Sequence, residues 1–287
     1  MTMTRRTFLA GSAAGLAGAA LVRETMAAEG AVAPVKIRVS ARHFGSDLVA
    51  AKKAGLDGVE VGVGGAAEKL QIADADRRGK IKEQMKATGL AVSSLSMDLL
   101  NGNPVATDPN GVAWLRQSIE AAKDLGAAGI LVPFFGKASL LKGKELKTDV
   151  VDALVARMKE VAPQAKDAGV ALGLENTCSG KQNLQIIERI GSEAVGCYYD
   201  TGNSTSGGYD VPAEIRQLKG RLCLIHFKDG GSYLGEGKVK MDPVAEALKA
   251  IGYTGWIVLE TACPSKDRIA DCKRNADFVR KLMGVTA

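Results

Sequence analysis

Short apolar runs rich in β-branched residues recur along the chain, and stretches with the apolar spacing of helices separate them. The runs are continuous rather than alternating, a pattern typical of parallel strands that are covered on both faces. Eight strands are predicted in this way: Val35–Ser40, Gly58–Val63, Ala91–Ser96, Gly129–Pro133, Val170–Glu175, Val195–Asp200, Leu222–Phe227 and Trp256–Glu260.

Helices are predicted between the strands, and several of them end at a glycine that precedes the next strand. The predicted helices include Gly111–Leu125, Thr148–Ala168, Pro212–Leu218, Pro243–Ile251 and a last helix near Lys266–Met283. The glycines at the helix ends, where this residue commonly closes a helix, are Gly55, Gly89, Gly126, Gly169 and Gly252.

Eight strand–helix units predict an α/β fold, a (β/α)8 TIM barrel in a single domain, which typically needs about 250 residues. An open, doubly wound sheet is the alternative architecture. The segment Val39–His43 at the end of the first strand contains no glycine-rich phosphate loop of the G-x-G-x-x-G type, which disfavours the open sheet.

The first 27 residues have a different pattern. Arg5-Arg6 precedes an Ala- and Gly-rich apolar stretch, Phe8–Val22, and small residues follow at Ala27 and Ala28. This order is similar to that of a twin-arginine export signal. The stretch is too short and too mildly apolar to span ~30 Å of hydrocarbon, so no stable membrane anchor is predicted. We therefore expect a signal peptide over 1–27, a barrel domain over 28–287, transport by the twin-arginine export machinery and a periplasmic location.

The composition is that of an ordinary globular protein: 287 residues, 46% hydrophobic and 24% charged, which excludes the disordered and disulfide-scaffold classes. The formal net charge of +6 is distributed without a basic run, so no nucleic-acid partner is expected. The five cysteines lack the close paired spacing of a zinc or redox motif.

Ionisable residues stand at the ends of the last four predicted strands. Glu175, Asp200, His226 and Glu260 are separated by 25, 26 and 34 residues, about one strand–helix unit each. A barrel would place these ends around one rim, where active sites of this fold lie. Three crowded carboxylates repel one another unless a cation lies between them, and three oxygens with one imidazole suit Mn²⁺, Mg²⁺, Co²⁺ or Zn²⁺. The sequence therefore predicts one divalent metal ion at this rim.

Five motifs stand at or just after these strand ends: L-G-L-E-N, Y-Y-D-T-G-N, the H-x-K-D of His226–Asp229, Y-L-G-E-G and W-I-V-L-E. They resemble those of the xylose isomerase-like barrels, specifically the sugar phosphate isomerase/epimerase group. The resemblance implies a metal, commonly Mn²⁺, held by the four residues named above. It further implies a sugar isomerase or epimerase that transfers a proton beside a carbonyl through an enediolate, with Glu175 and Glu260 as the acid–base pair on opposite faces of a small carbohydrate.

Five further residues are candidates for substrate binding: His43, Glu60, Asn176, Asn203 and Lys228. Each has a structural alternative: a loop position for His43, a buried ion pair for Glu60, and loop capping for the two asparagines. For Lys228 the alternative is an ion pair with Asp229 or Glu236. Asn203 occupies the position where ketose 3-epimerases of the group usually carry a histidine, which places that particular activity in question.

Other functions fit the same pattern less well. A metal-dependent lyase or hydrolase of keto-glycosides would use the same carboxylates and remains the main alternative, since an exported enzyme rarely meets cytosolic sugar phosphates. A multi-zinc endonuclease needs several histidines, and this chain has His43 and His226 alone. A non-catalytic sugar-binding protein would not need the two glutamates. The oligomeric state is open, with a homo-oligomer among the alternatives.

Overall fold

The computed structural model describes residues 37–285, which form eight parallel strands and the helices between them. We label the barrel strands β1 (Ile37–Ala41), β2 (Gly58–Gly62), β3 (Ala91–Ser96), β4 (Gly129–Pro133), β5 (Ala171–Glu175), β6 (Val195–Asp200), β7 (Leu222–Phe227) and β8 (Gly255–Leu259). The predicted signal peptide lies outside the described residues. The signal and the 1–27/28–287 division therefore stay predictions.

The eight strands close into a barrel in which each strand pairs in parallel with its neighbours in the chain. The closure lies between β1 and β8, where Val39 is in register with Ile257 and Ala41 with Leu259. The (β/α)8 barrel prediction is confirmed, and the open sheet is excluded because no strand of the barrel is left with a free edge.

Nine α-helices lie among the described residues, and they are labelled α1 (Leu48–Lys53), α2 (Ala75–Thr88), α3 (Gly111–Leu125), α4 (Thr148–Ala168), α5 (Gly180–Ile190), α6 (Thr201–Ser206), α7 (Val211–Leu218), α8 (Met241–Ala250) and α9 (Arg268–Met283). A short antiparallel hairpin, Leu141–Lys142 with Glu145–Leu146, follows β4. None of the helices in the described part of the chain is both long and apolar enough to cross a bilayer.

The helix boundaries follow from local chemistry. The α3 and α4 helices match their predicted bounds, and each is closed by a glycine in the left-handed region, Gly126 and Gly169, both at φ 66°. Glycine adopts this conformation without the steric cost that a Cβ brings. At the start of α5, Ser179 and Gln182 form a reciprocal capping box that satisfies two backbone donors.

Some strand ends differ from the prediction by one residue. The predicted start of β1 at Val35 lies outside the described residues. The β1 strand ends at Ala41 rather than at Ser40, and β8 runs over Gly255–Leu259 rather than Trp256–Glu260. Glu260 is therefore the first residue after its strand. It stays in the ladder nonetheless, because its backbone N–H donates to the Phe227 carbonyl at 3.1 Å.

The apolar interior has two parts. The larger one fills the space between the sheet and the helices. The smaller one comprises Leu131, Tyr198, Leu224, Trp256 and Val258. Residues two apart on a strand share a face. The smaller cluster therefore faces the same way as the strand-end residues, two positions further along β6, β7 and β8, and it forms the apolar floor beneath them.

Position 58 in β2 lies so close to the neighbouring strand β3 and to Trp256 of the floor that only glycine fits there. A Cβ at this position would lie 2.6 Å from the Ala91 carbonyl oxygen and 2.7 Å from the Trp256 ring. Gly79 in α2 differs, because a Cβ there would meet nothing within 4 Å. Packing therefore requires glycine at position 58, whereas at position 79 glycine only lowers the helix propensity of α2.

We expect Gly58→Ala to lower the free energy of unfolding by about 1–3 kcal/mol, because the neighbouring backbone must shift. Gly79→Ala, as the matched control, is expected to raise it by about 0.5–1 kcal/mol through helix propensity. Urea denaturation followed by circular dichroism measures both. Equal stabilisation by the two substitutions would contradict the packing at Gly58.

Candidate metal centre

The last four strands bring their terminal ionisable side chains together at the carboxyl end of the barrel. Glu175 ends β5, Asp200 ends β6, His226 is the penultimate residue of β7, and Glu260 follows β8. One potential ligand atom from each lies within 4.8 Å of the other three. The grouping that the strand spacing predicts is thus present in space.

The imidazole of His226 is the centre of this group. Its Nδ1 lies 2.9 Å from Glu260 Oε2, 3.3 Å from Glu175 Oε1 and 3.9 Å from Asp200 Oδ2. The ring is fully buried, and it packs edge-on against the Tyr198 ring with centroids 4.6 Å apart. One nitrogen of the ring therefore faces all three carboxylates.

The donor set fits a divalent cation. Asp200 Oδ2 and Glu260 Oε2 are buried without an aligned hydrogen-bond partner among the described residues. Buried polar atoms are rarely left this way in native proteins unless an ion or a water satisfies them. Three carboxylate oxygens and one imidazole nitrogen suit Mn²⁺, Mg²⁺, Co²⁺ or Zn²⁺, so the four side chains could hold one such ion.

Crowding shifts the protonation of these groups. Burial raises the pKa of Asp200 to about 7 and also raises that of Glu175, above the ordinary range of carboxyl groups. Burial also opposes ionisation of Glu260, but the hydrogen bond with His226 and the charges of Arg42 and Lys228 outweigh it and lower the pKa of this carboxyl. Relative to an ordinary glutamate, the pKa of Glu175 is therefore raised and that of Glu260 is lowered.

Two cations lie beside Glu260. Arg42, just after β1, places Nη1 3.0 Å from Glu260 Oε1 and also binds both carboxylate oxygens of Asp98. Lys228 Nζ lies 3.4 Å from Glu260 Oε1 and 3.8 Å from Asp200 Oδ2. These contacts hold Glu260 in its ionised form.

The alternative prediction for Lys228, an ion pair with Asp229 or Glu236, is wrong. Asp229 is buried, and its carboxylate accepts three backbone N–H bonds, from Gly235, Gly237 and Val239, at 2.9–3.0 Å. Glu236 pairs with Arg274. The two carboxylates instead organise the loop between β7 and α8, which leaves Lys228 directed toward the metal site.

A cavity of about 270 Å³ opens beside this group, and Glu175 and Glu260 are part of its wall. It is lined by Arg42, Asp98, Asn101, Pro133, Phe135, Glu175, Asn203, Lys228 and Glu260. Of the five substrate-binding candidates, Asn203 and Lys228 lie on its wall. The wall carries both glutamates proposed for acid–base chemistry.

The other three candidates are placed differently. The Asn176 side chain bonds Asn183 and the Cys178 N–H, an arrangement that caps the loop before α5. His43 is partly buried beside the site but is not part of the wall, and burial lowers its pKa. Glu60 is fully buried in β2, on the inner side of His226.

The cavity also contains residues that sequence reasoning missed. Arg42 follows β1 and Asp98 follows β3, so the strand-end reasoning used for the last four strands would have found both. Asn101 ends a single 3₁₀ turn and Phe135 lies in a loop, and segments this short carry no periodic pattern that indicates which side chains turn inward.

Comparison with known proteins agrees with this architecture. Residues 48–282 match the family model described as xylose isomerase-like TIM barrel. The chain belongs to this family. Among solved structures, an L-ribulose 3-epimerase has a TM-score of 0.69 at 22% identity, over 86% of this chain and 95% of the other. A 3-keto-D-glucoside 4-epimerase from E. coli has a TM-score of 0.65 at 18% identity, over 87% and 99%. At these identities the structures show the shared fold.

Relatives with assigned activities are more informative about chemistry. The 2-epi-5-epi-valiolone 7-phosphate 2-epimerase of Actinoplanes sp. is 25% identical over 61% of this chain and 64% of its own length. The ketose 3-epimerase of Arthrobacter globiformis is 26% identical over 63% and 66%. An inosose dehydratase of Lacticaseibacillus casei is 23% identical over 39% and 47%. The chain thus spans less than two thirds of each of these three relatives.

The raised pKa of Asp200 predicts that the free energy of unfolding of the metal-free protein depends on pH. Because folding raises this pKa from 3.8 to about 7, the folded state binds the extra proton, and the stabilisation falls as pH rises through this window. Relative to Asp200→Asn, we expect the wild-type free energy of unfolding to fall by up to about 1.4 kcal/mol per pH unit between these values.

Urea denaturation in excess EDTA, from pH 4 to 8, measures the difference between the two proteins. Asparagine is also a good helix N-cap, so the substitution keeps the cap that Asp200 gives α6 through the Asn203 N–H. The prediction would be contradicted if the free energy of unfolding of wild type, relative to that of Asp200→Asn, stayed constant or increased with rising pH.

Proposed function

We propose that this protein is a metal-dependent sugar epimerase or isomerase that transfers a proton next to a carbonyl. The observation that carries this proposal is the cluster of three carboxylates around one imidazole beside a polar cavity, whose wall includes Glu175 and Glu260. The epimerase relatives support the reaction class.

The chemistry requires an acid, a base and stabilisation of negative charge. A hydrogen beside a carbonyl is weakly acidic, and a bound dication would act as a Lewis acid that stabilises the enediolate. Glu175, Asp200, His226 and Glu260 would hold the ion. The remaining work falls to side chains that bind and orient the sugar and move the proton.

The two glutamates are suited to opposite proton-transfer roles. Glu260 is kept ionised by Arg42 and Lys228, so it is available as a base. Glu175 contacts neither cation and is almost completely buried, which raises its pKa above that of an ordinary glutamate in the metal-free site. Inversion at a carbon requires an acid and a base on opposite faces of the substrate, and both glutamates border the cavity in which the substrate would lie.

Substrate recognition falls to the polar wall of the cavity. Lys228 and Arg42 can donate to carbonyl or hydroxyl oxygens, and Asn203 can donate or accept. Both cations are already paired with carboxylates of the chain, which leaves no surplus positive charge at the wall for a phosphate group. A neutral sugar or polyol ketone is the substrate class that this wall favours.

A metal-dependent lyase acting on a keto-glycoside or keto-polyol is the second candidate. The first step would be the same proton abstraction beside a carbonyl, followed by loss of a group from the adjacent carbon. The similarity to an inosose dehydratase favours this candidate, although it covers a smaller part of the chain than the epimerase similarities do.

Incubation of Mn²⁺-loaded protein with free ketoses and 3-keto sugars in D₂O tests the proposal. We expect one deuterium at the carbon beside the carbonyl without bond cleavage, and a rate about 10²- to 10⁴-fold lower for Glu175→Gln, since an acid–base group contributes a factor of this size. Exposed Glu188 in α5 gives the control Glu188→Gln, which should keep the wild-type rate.

Mass spectrometry and NMR of the products distinguish the two candidates. Dehydrated sugar or released aglycone would replace the epimerase proposal with the lyase. Deuterium exchange that is unchanged in Glu175→Gln would remove Glu175 from the mechanism.

We also propose that the protein is exported by the twin-arginine route, on the strength of Arg5-Arg6 and the apolar stretch that follows. Expression of the full chain with both arginines changed to lysine should retain the protein in the cytoplasm, while wild type accumulates in the periplasm. Cell fractionation with immunoblotting measures the distribution. Equal periplasmic amounts of the two proteins would contradict export by this route.

A further inference from the structure

Glu60 is an ionisable residue for which the proposed reaction has no role. It lies in β2 with 1% of its surface exposed, and it is not among the residues that line the cavity. The His226 ring lies between it and the three carboxylates of the site. Direct contact with substrate, which the sequence suggested, therefore does not fit its position.

The Glu60 carboxylate is held in place by short hydrogen bonds. Its Oε2 accepts from the Tyr198 hydroxyl at 2.7 Å and from the Ser94 hydroxyl at 2.8 Å. Its Oε1 lies 3.7 Å from Arg42 Nε. A fully buried carboxylate is costly unless such partners compensate it, and these partners also fix its orientation.

The fixed oxygen faces the second nitrogen of the imidazole. His226 Nε2 lies 3.4 Å from Glu60 Oε2, and it is buried without an aligned hydrogen-bond partner among residues 37–285. Nδ1, on the other side of the ring, faces the three carboxylates. The two nitrogens therefore face two distinct acidic environments.

A neutral imidazole has one lone pair and one N–H, and the partner of the N–H decides which nitrogen is free to bind a metal. Histidines that bind metals usually donate the other N–H to a carboxylate or a carbonyl, which fixes the tautomer and the ring orientation. For His226, only Nδ1 is directed toward the metal site, so the N–H must reside on Nε2.

We propose that Glu60 is a positioning residue that accepts the Nε2–H of His226 and thereby fixes the tautomer whose Nδ1 binds the metal. This inference rests on the metal site of the proposed function. Strand β2 would thus supply the residue that orients the histidine, a role that the three carboxylates of the metal site do not have. The Tyr198 and Ser94 hydroxyls fix Glu60 in turn.

Titration with Mn²⁺ alone, followed by calorimetry, tests the proposal without any substrate. We expect Glu60→Gln to weaken binding about 10- to 100-fold, the usual cost of losing such a partner. Glu214→Gln is the matched control, since Glu214 is likewise buried and accepts from Tyr199 at 2.8 Å and from the Gly180 N–H at 2.7 Å, but lies on α7. It should stay within about twofold of wild type.

The tautomer itself can be observed in wild-type protein, because the chain has only two histidines. In ¹⁵N-labelled, Zn²⁺-loaded protein, long-range ¹H–¹⁵N spectra should show His226 protonated at Nε2, with slow solvent exchange of that proton. His43→Gln assigns the signals by removing the other imidazole. This measurement needs no Glu60 variant and so decides the matter even if Glu60→Gln does not fold.

Each outcome separates the inference from the proposed function. Wild type that binds Mn²⁺ while Glu60→Gln binds it equally tightly overturns the role of Glu60 and leaves the metal site intact. His226 protonated at Nδ1 in the Zn²⁺ form has the same consequence. Wild type that binds neither Mn²⁺ nor Zn²⁺ overturns the metal site itself, and the role of Glu60 with it.

Discussion

The accumulation of acidic groups around one buried imidazole is the constraint on which the site depends. Glu60, Glu175, Asp200 and Glu260 all lie within 4 Å of the His226 ring nitrogens, and the ring is fully buried. Such a group is unfavourable unless positive charge compensates it. Arg42 and Lys228 supply part of that charge, and the unsatisfied oxygens that remain are directed to where a dication would lie.

The barrel stabilises this arrangement because three of the acidic groups stand on strands and Glu260 follows its strand directly. An apolar floor of Leu131, Tyr198, Leu224, Trp256 and Val258 fills the interior below them. Above the floor, the hydroxyls of Ser94 and Tyr198 bind Glu60, and the His226 ring packs against Tyr198. Each layer restricts the one above it, so the side chains that face the cavity have little freedom to move apart.

The cations also make the two cavity glutamates unequal. Arg42 and Lys228 both contact Glu260, whereas the Glu175 carboxylate is nearly enclosed by protein and its hydrogen-bonding partner among residues 37–285 is the imidazole. Two chemically identical side chains thus acquire opposite tendencies to hold a proton, which is the general way in which one site obtains both an acid and a base. The same pairing compensates the charges of the two cations at the cavity wall.

The fold and the core of the site could be predicted from the sequence, because both depend on local order. Continuous apolar runs and helix-ending glycines specify the strand–helix units, and regular spacing places Glu175, Asp200, His226 and Glu260 at consecutive strand ends. Those ends meet on one rim in any closed parallel barrel. The other contacts in and around the site depend on which strands are neighbours and on which face of its strand each side chain lies, and the order of residues along the chain does not specify these. Arg42 meets Glu260 across 218 residues of chain only because β1 closes the barrel against β8. Glu60 lies on the inner side of His226, and Asn176 turns toward Asn183, because packing rather than residue type selects these contacts.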